Sequence, residues 1–221
     1  MSASSTKQTK SKKRVSDHGE VFTSEREVNA MLDLVKQETE RIDSRFLEPA
    51  CGTGNFLVEI LRRKLKIVKE KYKKSQLDYE RNAMLAISSV YGVDILNDNV
   101  KECIERLYLI LKEEYTSLFK RKHREIFLQN AKYLLSKNIL WGNALTLKKI
   151  DDDKPIVFSE WSFVTSSMIT RREFEYAELT PSENNNLFNE KKNNDLGKPS
   201  FIPKPVKDYP TTHFLKIANN D

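Results

Sequence analysis

The stretch from Arg45 to Val68 constrains this chain more than any other. A short apolar approach, Arg45-Phe46-Leu47, ends at Glu48-Pro49, and the glycines Gly52 and Gly54 follow at once. Phe56, Leu57, Ile60, Leu61, Leu65 and Val68 then recur at helical spacing. The order is buried strand, glycine turn, helix. Such a turn lets main-chain amides approach a ligand, with the N-terminus of the helix nearby. Glu48 stands where a carboxylate can accept from the ammonium of an amino-acid-like ligand.

The rest of the pattern alternates in the same way. Ser24 and Glu27 form a capping box, and Val28, Met31, Leu32 and Val35 predict a helix to about Glu40. A helix over roughly Tyr79 to Ser88 precedes the β-rich run Val90-Tyr91-Gly92-Val93-Asp94-Ile95, which ends in an acid. Asn97 or Asp98 can cap the next helix, striped by Val100, Ile104, Leu107 and Leu111. A further helix around Ile126 to Leu135 leads to Ile139-Leu140-Trp141, and Ile156-Val157-Phe158 makes a fourth strand. Strands alternating with helices predict an α/β fold with a parallel sheet.

The net charge of +6 is a nucleic-acid footprint only if it lies on the folded part. It does not: Lys7, Lys10, Lys12, Lys13 and Arg14 account for most of it. Residues 1–17 therefore read as a basic disordered tail, either a solubilising arm or a contact to DNA phosphates. Residues 18–165 read as the folded domain, and 166–221, rich in Asn and with four prolines from Pro199 to Pro210, as an irregular C-terminal arm. No apolar run approaches the roughly 18 residues of a membrane span. Cys51 and Cys103 have neither metal-ligand spacing nor the pattern of a disulfide framework, so no metal is expected and a cytoplasmic setting is. The basic run from Arg62 to Lys74 lies opposite an apolar stripe and reads as a solvated face.

Glu48-Pro49-Ala50-Cys51-Gly52-Thr53-Gly54-Asn55-Phe56 resembles the cofactor motif of the adenine-N6 DNA methyltransferases, S-adenosylmethionine enzymes common in restriction-modification systems. His18 to Thr23 resembles the motif that precedes it there, with Ser24 replacing the usual Pro. Tyr91-Gly92-Val93-Asp94 resembles the next motif, and Trp141-Gly142-Asn143-Ala144-Leu145 the third, with Asn143 for the usual Asp. The resemblance covers roughly residues 18 to 150 and implies a Rossmann-like methyltransferase fold that binds S-adenosylmethionine. It implies that Phe22, Thr23, Glu48, Ala50, Gly52, Gly54, Asp94, Ile95, Asn143 and Ala144 hold that cofactor. Asp94 would accept from the ribose hydroxyls, which fits an acid at a strand's carboxyl end. The gap from Gly54 to Asp94 is too long for a dinucleotide fingerprint and speaks against an NAD fold.

The family's Asn- or Asp-Pro-Pro-aromatic motif, which grips the flipped-out adenine, should follow the fourth strand. This chain contains no Pro-Pro pair, and Ser159-Glu160-Trp161-Ser162-Phe163 stands there instead. Glu160 and Trp161 are the catalytic candidates. After Phe163 no pattern predicts the further strands of a complete sheet. The expectation is an incomplete parallel sheet: the cofactor-binding part of a DNA methyltransferase, with the catalytic loop supplied by a second methyltransferase subunit or restriction-system protein docked on Ile156-Val157-Phe158. The alternatives are a non-catalytic cofactor-binding regulatory subunit and a methyltransferase acting on RNA or protein.

Overall fold

The computed structural model of the chain describes residues 10–18, 20–179, 192–193, 199–200 and 203–219. Helix α1 (Lys12–His18) is followed by α2 (Glu25–Asp33) and the short α3 (Lys36–Thr39), so the helix expected to reach Glu40 breaks at its middle. Strand β1 (Phe46–Glu48) leads through the glycine turn into α4 (Asn55–Tyr72), and α5 (Gln76–Ser88) precedes β2 (Val90–Asp94). Then come α6 (Asn97–Phe119), α7 (Glu125–Asn138), β3 (Ile139–Asn143) and β4 (Lys148–Lys149). The capping box forms as expected: the Ser24 amide donates to Glu27, and the Glu27 amide to the Ser24 hydroxyl at 3.4 Å.

These strands form one sheet in the order β1-β2-β3-β4. Phe46 pairs with Val90 and Gly92 with Ile139 in parallel register, whereas β4 returns antiparallel to β3. Successive side chains of a strand point to opposite faces. Phe46, Val90 and Ile139 pack with the buried stripes of α4, α5, α6 and α7 in the main core. Tyr91, Val93 and Leu140 meet Ile156, Phe158 and Tyr176 in a smaller cluster on the other face. All the long helices thus cover one face, and this leaves the carboxyl ends of β1 to β3 to build the site.

The fourth strand departs from expectation. Strand β5 (Val157–Phe163) does not join the parallel sheet but forms an antiparallel hairpin with β6 (Met168–Glu175). Helix α8 (Tyr176–Leu179) follows, and the pair β7 (Lys192–Asn193) and β8 (Pro199–Ser200) lies between it and the C-terminus. Strands β9 (Lys207–Asp208) and β10 (Thr212–His213) both pair with β6, and the 3-10 turn Phe214–Asn219 packs on α7. The described parts of the stretch expected to be irregular therefore hold ordered strands; residues 180–191, 194–198, 201–202 and 220–221 of it lie outside the described residues. Strand β6 was hidden because its inward position 171 is an arginine. Arg171 is buried, donating to the Ser159 hydroxyl at 3.0 Å and the Tyr133 hydroxyl at 2.8 Å, with Tyr209 over its guanidinium.

Candidate functional site

A crevice of about 570 Å³ opens at the carboxyl ends of β1, β2 and β3. The loop after β1 contributes Glu48, Ala50 and Gly52, the end of β2 contributes Asp94 and Ile95, and β3 with its loop contributes Asn143 and Ala144. Phe22 and Thr23 close it from the segment before α2. Nine of the ten residues expected around the cofactor line this one space. The exception is Gly54. It starts α4 at a φ of 88°, and a Cβ there would lie 2.5 Å from the Cys103 thiol, so its glycine serves packing against α6.

Gly52, at a φ of 52°, does face the crevice, where a Cβ would come within 3.2 Å of the Phe22 ring. Its amide donates to Oδ2 of Asp94 at 2.8 Å, while Oδ1 accepts the Leu96 amide at 2.9 Å. Both carboxylate oxygens are thereby oriented by main chain, and an aspartate oxygen has a further lone pair to offer a ligand. This also explains why neither Asn97 nor Asp98 caps α6: Leu96 takes the cap position without a side-chain bond. Arg106 locks the turn from behind, donating to the Thr53 carbonyl at 2.6 Å and to Asn55 at 2.9 Å. The Asn55 amide in turn holds the Thr23 carbonyl at 2.9 Å. Burial pushes the Glu48 carboxyl above its usual range, against the hydrogen bond it accepts from the Ala50 amide.

Asn143 uses its side-chain oxygen to accept the Leu145 amide at 2.9 Å, which bends the loop and exposes Leu145 almost completely. Its amide nitrogen is left for a ligand edge. Ile95, 43% exposed, offers an apolar lip, and its carbonyl accepts the Trp141 indole N–H at 2.9 Å.

Three features were not foreseen: the placing of Asn99, the clamp of the N-terminal helix, and a buried lysine away from the crevice. Asn99 is 1% exposed; its amide nitrogen donates to Glu20 at 2.7 Å and to Asp94 at 3.3 Å. Its oxygen accepts from Arg14 at 3.1 Å and Lys10 at 2.9 Å. Arg14 also grips Glu20 through two nitrogens at 2.6 and 2.7 Å, and Asp98 at 2.5 Å. That contact, with Lys10 adding to it, holds Asp98 down at about 2. Burial raises Glu20, but the bonds from Arg14 and Asn99 outweigh it and leave the group below its ordinary value. The described end of the expected disordered tail is thus a helix clamped on the crevice wall. Lys64 is the third surprise. Placed by sequence on a solvated face, it is buried, donating to the Ser44 carbonyl and to the Ser89 hydroxyl.

The catalytic candidates lie elsewhere. Trp161 is 5% exposed, and its indole donates to Asn138 at 3.0 Å, so the ring belongs to the core and offers no face to a base. Glu160 is held between Arg45 at 2.6 Å and Arg172 at 2.5 Å. Neither lines the crevice. Among the described residues no group of His, Cys, Asp and Glu could hold a metal ion, and no helix is long and apolar enough to cross a membrane.

An acid at the end of the second strand, gripping the glycine turn after the first, defines an α/β domain with a ligand crevice at its strand ends. Residues 8–153 match the family described as MmeI, DNA-methyltransferase domain, and the chain belongs to that family. It is also 34% identical, over 104 residues, to a putative type II restriction enzyme and methyltransferase of Methanocaldococcus jannaschii. That match covers 46% of this chain and 8% of the relative, so the chain spans only a small part of the relative's length. No solved structure gives a significant match.

Proposed function

We propose that the crevice binds S-adenosylmethionine, and that the chain is the cofactor-binding part of an adenine-N6 DNA methyltransferase of a restriction-modification system. One observation carries the reading. Among the described residues the crevice lining includes three carboxylates, Glu20, Glu48 and Asp94, and no lysine or arginine. Arg14 pairs Glu20, so Glu48 and Asp94 are the carboxylates left to face a ligand, and neither offers a dinucleotide's phosphates a partner. A ligand with an ammonium, a sulfonium and two ribose hydroxyls suits them. In this reading Asp94 accepts from the ribose hydroxyls and Glu48 from the ammonium. Asn143 and Ala144 meet the adenine edge, Ile95 its face, and Phe22 and Thr23 wall the methionine end. When bound, the cofactor supplies an electrophilic methyl group.

A partner chain supplies the missing base-binding loop. The edge expected to receive it, Ile156-Val157-Phe158, is covered on one side, where β5 pairs with β6, while β5 ends its sheet on the other side among the described residues. The edge that lies beside the crevice is on β1. The Phe46 amide donates to Ser89 toward β2, so the main-chain groups of Leu47 face the other way, and among the described residues no strand pairs there. A strand added parallel to β1 would end beside Glu48, with its next loop over the methionine end of the crevice. The test is labelled methyl transfer to DNA with this chain, with the gene product carrying the Asn/Asp-Pro-Pro-aromatic motif, and with both. Label recovered as N6-methyladenine only with both supports the proposal. Label in RNA or protein instead, or no transfer in any combination, contradicts it.

A further inference from the structure

We infer that Arg14, Glu20 and Asn99 are positioning residues for Asp94, so that helix α1 is a working part of the cofactor crevice. The inference rests on the cofactor reading above. Asn99 is oriented without ambiguity. Its oxygen faces the two cations, Arg14 and Lys10, and its NH₂ faces the two carboxylates, Glu20 and Asp94. Turning the amide over would set like against like at all four contacts, which the hydrogen-bond inventory of an amide forbids. The Asn99 orientation is therefore set largely by the segment from Lys10 to Glu20, which includes α1, and it presents an N–H to the same Asp94 oxygen that the Leu96 amide holds.

Glu20 is the weak point of this arrangement. Its side chain is 7% exposed and lines the crevice, so its charge needs a partner. Arg14 provides one in bidentate geometry, the strongest form of such a pair. Without Arg14, Glu20 leans harder on Asn99, and Asp94 loses the Asn99 part of its support while keeping the Gly52 and Leu96 amides. The cations of the N-terminal segment that this requires, Lys10 and Arg14, are engaged within the chain itself rather than free to meet DNA phosphates.

The experiment is calorimetric titration of the full chain with S-adenosylmethionine, in wild type, Arg14→Gln, Arg14→Lys and Lys12→Gln, from about 50 to about 500 mM salt. Arg14→Gln should weaken binding on the order of tenfold, a usual size for coupling between sites. Arg14→Lys should recover part of it, because a point charge keeps the attraction but not the fork. Lys12→Gln, at an exposed position on the same helix, should match wild type. Amide exchange of Gly52 and Leu96 without cofactor should quicken in Arg14→Gln, which a general loss of stability elsewhere would not single out. Wild-type affinity and unchanged exchange in both Arg14 variants overturn the inference. Failure of the folded wild type to bind at all strikes the cofactor reading itself, and Arg14→Lys serves where Arg14→Gln does not fold.

Discussion

The Asp94 carboxylate accepts the main-chain N–H of Gly52 at 2.8 Å, so the end of the second strand holds the turn that follows the first. One side chain thereby shapes the crevice and lines it. Asp94→Ala should weaken S-adenosylmethionine binding by about 1.5–3 kcal/mol, the worth of a hydrogen bond to a charged group. It should also speed amide exchange at Gly52. Calorimetry and exchange together check this, and an unaltered Gly52 amide would remove the structural half of the claim.

If Glu48 meets the ligand ammonium as proposed, binding should depend on pH. Its pKa is raised by burial, so it loses its charge at a higher pH than an exposed glutamate. Affinity for a ligand ammonium should fall as pH is lowered, beginning above the ordinary carboxylate range near 4.3. Glu48→Gln should bind more weakly at neutral pH and show a flatter profile. A profile in the variant as steep as in wild type would assign the titration to another group.

Gly54→Ala should destabilise the fold by about 1–3 kcal/mol, because its φ of 88° disfavours a side chain and its Cβ would press on Cys103. Cys103→Ala in the same chain should recover part of that loss. Strict additivity in a denaturation double-mutant cycle would show that the two residues do not meet.

Lys64 makes stability rise with pH. Burial lowers its pKa to about 7 from 10.5, although Asp43 and Glu38 pull the other way. Between those values the unfolded chain binds more protons than the folded one, so stability climbs as pH rises through the window and is flat below it. The change is on the order of a few kcal/mol across the full window. Denaturation from about pH 7 to about pH 9.5 should show the slope in wild type and a flatter one in Lys64→Met.

Trp161 separates core from chemistry. Trp161→Ala should cost about 3–5 kcal/mol by opening a cavity in the core. It should leave the affinity for S-adenosylmethionine unchanged in the folded fraction. A loss of binding without a loss of stability would return Trp161 to the site.

Local spacing carried most of the site. The glycine turn, the acid ending β2 and the loop after β3 are each contiguous strings, and the sheet needed only to set three strand ends side by side. What stayed hidden depended on partners distant in sequence. Asn99 looks like one more polar residue at a helix start until Glu20 and Arg14 are brought beside it. Arg171 breaks the apolar alternation of β6, and only the Tyr133, Tyr209 and Ser159 contacts make its burial intelligible. Lys64 stood in a run of exposed basic residues, and nothing local marks it as the one whose nitrogen reaches Ser44 and Ser89. Gly54 was legible as a necessary glycine but not for its reason, since Cys103 lies on another helix.

The central claim is that the acidic crevice takes S-adenosylmethionine rather than a phosphate-bearing dinucleotide. Calorimetric titration of the purified, folded chain with S-adenosylmethionine and, separately, with NAD tests it most directly. The account predicts saturable one-to-one binding of S-adenosylmethionine, lost or strongly weakened in Asp94→Ala, and no measurable binding of NAD. Binding of NAD with equal or greater affinity, or a folded chain that gives no heat with S-adenosylmethionine, would contradict it.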